Sequence, residues 1–145
     1  IQGERMKLLT RETRYSKCSK YKYRLHQPIL VEIEIYGYEI DLPFFKLQPD
    51  GLLILRKGYC WNGSNYSIDY KSRTASAVHD AGYQLMREGC IEKSHRKYID
   101  QVYKEILIIK GLWVWHANFR YNMLRKLGGT SAKLAGKPDN RICEE

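Results

Sequence analysis

The chain has 145 residues, of which 43% are hydrophobic, and 25 Lys and Arg against 16 Asp and Glu give it a net charge of +9. This length predicts one domain with its own core and argues against a second catalytic domain. The basic excess favours an anionic partner, which leaves nucleic acid, a lipid surface and an acidic protein as candidates. No run of about 20 apolar residues, as a membrane-spanning helix requires, occurs in the sequence.

Basic residues are concentrated towards the two ends of the chain. Residues 6–27 hold seven Lys or Arg and one Glu, whereas residues 28–50 hold one Lys and five acids. The N-terminal bases predict an anion-binding surface, with ordinary solvated side chains as the alternative. The surface consists of Arg11, Arg14, Lys17, Lys20, Lys22 and Arg24.

The cysteines Cys18, Cys60, Cys90 and Cys143 are scattered and contain no C-x-x-C pair. This spacing predicts neither a zinc site nor a dense disulfide framework, so reduced thiols in a cytoplasmic protein are expected.

Residues 1–5 lack a secretory pattern and are expected to be an added remnant ahead of a natural start at Met6. Residues 6–129 are predicted to form a single domain, and residues 130–145 a loosely ordered tail.

Strand periodicity dominates residues 21–59. Apolar residues alternate at positions 21, 23 and 25 and again at 31, 33 and 35, and turn residues such as Gly37, Gly51 and Gly58 separate the segments. The pattern predicts an antiparallel β-meander of four or five strands, with Leu52 to Leu55 as its most buried strand.

Three helices are predicted after this region. The first begins at Ser72 or Thr74 and stops at Gly89. The second runs from about Ser94 to Lys110, and the third spans residues 112–127 before Gly128. A short connection makes the first two an antiparallel pair, and strands followed by helices define an α+β fold.

The third predicted helix is rich in aromatic residues, namely Trp113, Trp115, Phe119 and Tyr121. Core packing is expected for them, with a base-stacking platform for nucleic acid as the alternative.

The chemically suggestive residues lie on the first two predicted helices. His79 and Tyr83 share a helix face because residues four apart do so, and antiparallel packing brings Asp100 to face His79. A carboxylate bound to one imidazole nitrogen leaves the other nitrogen free to take a proton from water. The structural alternatives are a helix salt bridge between Asp100 and Arg96 and a purely packing role for Tyr83.

Asp80 projects towards the loop around Asn62 and Gly63, about 100° around the helix from His79. Carboxylate and carbonyl oxygens suit a hard cation, so Asp80, Asn62 and Gly63 are the predicted metal ligands.

Three segments of the chain together resemble a family of small uncharacterised tailed-phage proteins. They are the turn Gly58-Tyr59-Cys60-Trp61-Asn62-Gly63-Ser64, the run Val78-His79-Asp80-x-x-Tyr83 and the pair Arg96-x-x-x-Asp100. The resemblance covers roughly residues 52–128, and Asn62 stands where the family usually has Asp. It implies a phage accessory protein in the cytoplasm of the host cell.

The pattern H-D-x-x-Y followed by a helix-borne Asp is also similar to the site of calcium-dependent secreted phospholipases. That resemblance implies His79 as the base, calcium as the metal ion with Asp80 as its ligand, and Tyr83 with Asp100 as orienting groups. The disulfides of those enzymes and a full Y-x-G-x-G calcium loop have no counterpart here.

Three functions follow from these observations. The first is metal-assisted ester hydrolysis at His79, with the basic surface docking on a lipid. The second is a non-enzymatic phage protein that binds and inhibits a host factor or nucleic acid through its basic residues. The third is a metal-dependent phosphohydrolase, for which His26 is the candidate second ligating histidine.

Overall fold

The computed structural model describes residues 6–17, 23–61 and 70–129, which fall into two compact units. The sheet unit contains residues 6–17 and 23–61, and the helical unit contains residues 70–129. Antiparallel strands precede three helices, two of which pack together, so the α+β fold class is confirmed.

The described part of the sheet unit forms eight strands in two antiparallel sheets. They are β1 (Met6–Leu8), β2 (Tyr15–Ser16), β3 (Tyr23–Leu25), β4 (Ile29–Ile33), β5 (Ile40–Asp41), β6 (Phe45–Leu47), β7 (Leu52–Leu55) and β8 (Cys60–Trp61). The larger sheet has the order β1-β4-β7-β6-β5, and the smaller has the order β2-β3-β8. The consecutive strands β5, β6 and β7 form a meander, which β4 and β1 extend beyond β7.

The strand β7 is the middle one of the five-stranded sheet, but the prediction that it is the most buried strand is wrong, because burial alternates along it whereas both residues of β8 are buried. Leu53 and Leu55 are fully buried, while the residues between them on the other face are partly exposed. The alternation on β4 is confirmed, since Val31 and Ile33 are buried and Glu32 is exposed. One face of the sheet therefore carries the core.

The turn from β6 to β7 depends on a glycine. Gly51 has a φ of +92°, which L side chains rarely adopt, and a Cβ at this position would lie 2.1 Å from the Ile33 carbonyl oxygen. The Gly51 amide donates to the Gln48 carbonyl oxygen at 2.9 Å, and the Asp50 carboxylate accepts from the Leu52 amide at 3.1 Å. These contacts fix the register in which β7 enters the sheet.

A cluster of aromatic rings connects the two sheets of this unit. Tyr23 lies 5.6 Å from both Tyr15 and Trp61 between ring centroids, and Tyr59 lies 6.1 Å from Trp61 and 4.9 Å from Phe45. Trp61 and Tyr59 are fully buried, so the cluster forms a large part of the apolar core of the sheet unit.

The helical unit contains α1 (Arg73–Arg87), α2 (Arg96–Ile109) and α3 (Val114–Leu127), with short 3₁₀ helices at Tyr70–Ser72 and Lys93–His95. The predicted stops at Gly89 and Gly111 are confirmed, since both glycines have a positive φ and donate to carbonyl oxygens of the preceding helix. Ser72 precedes α1, but its side chain makes no capping hydrogen bond.

The two described cysteines differ in state. Cys90 is a free thiol. Burial raises the pKa of this thiol, and the negative charge of the nearby Glu88 raises it further. Cys60 is disulfide-bonded. The expectation of reduced thiols is thus confirmed for Cys90 and wrong for Cys60, because local cysteine spacing does not report which thiols are oxidised in the fold.

Candidate active site

The helices that carry the predicted site residues approach each other closely at a glycine. A Cβ on Gly82 of α1 would lie 2.8 Å from Cδ1 and 2.9 Å from Cγ2 of Ile99 on α2. Because Gly82 has no side chain, α2 comes near enough for Asp100 to reach His79, about one helical turn before Gly82 on α1, and Tyr83, which directly follows Gly82.

The Asp100 carboxylate is the centre of the site. Its Oδ1 lies 2.8 Å from Nε2 of His79 and accepts a hydrogen bond from the Tyr83 hydroxyl at 2.7 Å. Its Oδ2 accepts from Nη1 of Arg125 on α3 at 2.8 Å. Asp100 is fully buried, so three donors take the place of its hydration shell.

Arg96 connects Tyr83 to the C-terminal end of α3. Its Nε donates to the Tyr83 hydroxyl oxygen at 3.0 Å, and its Nη2 donates to the carbonyl oxygens of Leu124 at 2.7 Å and Arg125 at 3.1 Å. The alternative salt bridge between Arg96 and Asp100 is not formed among the described residues, because the Arg96 side chain extends towards α3. Asp100 pairs with Arg125 instead.

This network perturbs the pKa of two groups. Burial alone would raise the pKa of Asp100, but hydrogen bonds from His79, Tyr83 and Arg125, with the charge on His79, lower it below its usual range. Burial also raises the pKa of Tyr83, and the hydrogen bond to the Asp100 carboxylate raises it further, against the opposing effect of Arg96. Tyr83 therefore stays a hydrogen-bond donor, and Asp100 an acceptor, at neutral pH.

The His79 ring lies between two tyrosines. Its centroid is 4.2 Å from that of Tyr83 and 5.2 Å from that of Tyr103, and 10% of its side chain is exposed. Among the described residues, no group hydrogen-bonds to Nδ1 of His79. The ring is thus fixed by Asp100 through Nε2, and its second nitrogen has no protein partner there.

The predicted metal ligands are described only in part. Asp80 lies on α1 and is partly exposed, whereas Asn62 and Gly63 lie outside the described residues. Within residues 6–17, 23–61 and 70–129, no three His, Cys, Asp or Glu side chains form a group that could hold a metal ion. Calcium binding through Asp80 stays a prediction.

The predicted basic surface is also described in part. Arg11, Arg14 and Lys17 are exposed, with Arg14 3.8 Å from the Glu12 carboxylate, and Arg24 on β3 is partly buried. Lys20 and Lys22 lie outside the described residues.

The other candidate histidine, His26, belongs to the sheet unit. Its Nε2 lies 2.6 Å from the Ser16 hydroxyl, in a bend directly after β3. A metal shared with His79 stays a prediction.

Two features of α3 differ from the sequence expectations. Arg125 was not predicted to reach Asp100, since it lies 25 positions away on a helix whose apolar spacing gave no orientation. The expectation that Trp113, Trp115 and Phe119 pack in the core is wrong, because all three are exposed. Buried Ala117 and Arg120 mark the packed side of α3, which leaves these aromatic residues outside it.

Comparison of the chain with protein-family models, with curated proteins and with solved structures finds no match. None of the helices that the structure describes has the length and apolar character needed to cross a membrane.

Proposed function

We propose that the helical unit carries a histidine-based hydrolytic centre that cleaves an ester, with phospholipids as the leading substrate class, in a phage accessory protein of the host cytoplasm. The observation that carries the proposal is the contact of His79 Nε2 with the buried Asp100 carboxylate, which leaves Nδ1 without a hydrogen-bond partner among residues 6–17, 23–61 and 70–129. An imidazole held in this way has a fixed tautomer and an available lone pair.

The proposed reaction uses His79 as a general base and then as a general acid. Nδ1 takes a proton from water as the water oxygen attacks the ester carbonyl carbon, and the ionised Asp100 stabilises the imidazolium that forms. When the bond from carbon to the alcohol oxygen breaks, Nδ1 returns the proton to the leaving oxygen. Tyr83 is a positioning residue, since its hydroxyl holds the same Asp100 oxygen that orients His79.

Calcium is the proposed cofactor, and its candidate ligands are Asp80, Asn62 and Gly63. Of these three, only Asp80 lies among the described residues. Asp80 supplies oxygen donors next to His79 in sequence, which is the chemistry that a hard cation prefers. A bound calcium ion would polarise the ester carbonyl. Isothermal titration with calcium tests this part by itself, because Asp80→Asn should abolish binding whether or not the protein hydrolyses an ester.

Hydrolysis is tested on short-chain chromogenic esters and on phospholipid vesicles, with calcium present. His79→Gln should abolish product release, and Asp100→Asn should reduce it by about 10²-fold or more, in the range typical of a lost base or orienting group. His95→Gln is the matched control, since His95 precedes α2 in the same unit and makes no contact with Asp100. A folded wild-type protein that releases no product from any of these substrates would contradict the proposal.

A second candidate function is binding of a host protein or nucleic acid through the basic surface. The exposure of Arg11, Arg14 and Lys17 favours it. Replacing these residues with Gln should then abolish capture of the partner, while His79→Gln leaves capture intact. The reverse pattern would reject this candidate.

A further inference from the structure

The N-terminal end of α3 exposes four large apolar side chains, which we call the α3 aromatic face. Trp113 is 70% exposed, Val114 57%, Trp115 64% and Phe119 55%. The exposed positions Trp115 and Phe119 are one helical turn apart, so they share a side of the helix. An apolar group of this size on a surface is typical of a binding site rather than of ordinary solvent exposure.

Positive charge accompanies this face. Lys71 lines a surface depression of about 300 Å³ together with Trp113, Trp115 and His116. Residues 106–129 contain no Asp or Glu. The face therefore combines tryptophan rings with an ammonium group and lacks nearby acids in its own part of the chain.

We propose that the α3 aromatic face binds the surface of a lipid bilayer that contains anionic phospholipids. Tryptophan is suited to the headgroup region because its ring is apolar and its indole N–H remains hydrogen-bonded. Lys71 supplies attraction to the phosphate groups, and Val114 and Phe119 supply apolar area that is buried at the boundary with the acyl chains. This inference is independent of hydrolysis at His79.

Ring geometry favours a bilayer over single-stranded nucleic acid. The ring centroids of Trp113 and Trp115 are 6.2 Å apart, and the planes of the two rings meet at 65°. The rings therefore do not present parallel faces to successive bases. One face of Trp115 is covered by His116, which stacks on it at 5.3 Å with planes 19° apart. The exposed aliphatic side chain of Val114 offers nothing to a base stack.

Tryptophan fluorescence gives a direct test with the full chain. Trp61 is fully buried and acts as an internal reference, whereas Trp113 and Trp115 are the other two tryptophans of the sequence. Vesicles of phosphatidylcholine with phosphatidylglycerol should shift the emission to shorter wavelength and sediment with the protein. Vesicles of phosphatidylcholine alone should bind more weakly.

Three variants separate the contributions. Trp113→Ser and Trp115→Ser should each weaken vesicle partitioning by about tenfold, because each removes a large apolar surface from the interface. Lys71→Gln should weaken binding to anionic vesicles by about fivefold. Tyr36→Ser is the matched control, since Tyr36 is an aromatic residue of the sheet unit that is 62% exposed, and it should leave partitioning unchanged.

Several outcomes would overturn the proposal. One is the absence of vesicle binding by a protein with a normal circular dichroism spectrum. Another is quenching of the exposed tryptophans by a single-stranded oligonucleotide without binding to vesicles. A third is concentration-dependent self-association that buries Trp113 and Trp115 and leaves the protein unable to bind vesicles. His79→Gln should bind vesicles as the wild type does, so loss of hydrolysis and loss of docking are distinguishable.

Discussion

Replacing Asp100 with Asn tests the buried network that joins the three helices. An Asn side chain keeps one carbonyl oxygen for the donors that face Asp100 but presents an amide NH₂ group in place of the second oxygen. If the remaining oxygen stays with His79 and Tyr83, Arg125 loses its ion pair and meets another donor. The substitution therefore removes the charge while it preserves the shape of the side chain.

The expected cost follows from burial. Breaking a buried ion pair by removing one partner costs about 3–5 kcal/mol when the other charge stays buried. The Arg125 side chain is 31% exposed and can turn towards solvent, whereas Asp100 is fully buried. We therefore expect Asp100→Asn to lower the free energy of unfolding by about 2–3 kcal/mol at neutral pH.

The pH dependence has a definite sign. Because the pKa of Asp100 is lowered in the folded protein, its stabilising effect is complete above the ordinary aspartate pKa of about 3.9. The effect is lost as the pH falls through the lowered value, where the folded-state carboxylate takes up a proton. The difference in stability between wild type and Asp100→Asn should therefore shrink below about pH 4.

The difference in the free energy of unfolding is measured by urea denaturation at neutral pH and at several acidic pH values. Far-ultraviolet circular dichroism monitors the loss of helix. Asp41→Asn is the control, because Asp41 is an exposed carboxylate of the sheet unit that pairs with Arg56, and its loss should cost less than about 1 kcal/mol. Equal stability of wild type and Asp100→Asn at neutral pH would refute the reasoning. A difference that stays constant on acidification would refute the part that depends on charge.

Two glycine substitutions test the close approaches in each unit. Gly82→Ala should destabilise the protein by about 1–2 kcal/mol, because contact with Ile99 outweighs the better helix propensity of Ala; a gain of stability in urea denaturation would contradict this. Gly51→Ala should cost about 3 kcal/mol or more, since the new Cβ meets the Ile33 carbonyl oxygen. Gly37→Ala is its control, with a φ of +83° but open space around the Cβ, and thermal unfolding should show a much smaller loss.

Local sequence signals are sufficient to predict the three helices and where the first two end. Gly89 and Gly111 mark helix ends through positive φ values, which depend on the residue itself rather than on its tertiary surroundings. Strand partners depend instead on distant segments: β4 pairs with β7, and β3 pairs with β8. The alternation of apolar residues therefore predicted which side chains are buried but not the division into two sheets.

The site was predictable where helix geometry alone decides it. The spacing of His79 and Tyr83 places both on the side of α1 that meets Asp100, as the observed hydrogen bonds show. Arg125 was not predictable, because its contact depends on where α3 packs. The exposure of the α3 aromatic residues was also not predictable from composition, which does not say which side of a helix is packed. Trp115 and Phe119 share their side of α3 with the polar residue Asn122.

The charge balance at Asp100 helps to decide whether His79 only stabilises the fold or can also act as a base. Arg125 alone neutralises the buried carboxylate, so the ion pair does not require a second cation. His79 meets the carboxylate through Nε2, so its Nδ1 lies on the other edge of the ring, where a base would have to act. A purely structural network would be completed by Arg125, Tyr83 and Arg96. The additional histidine, with one ring nitrogen lacking a hydrogen-bond partner among the described residues, is the feature that such a network does not require and that the proposed hydrolysis would use.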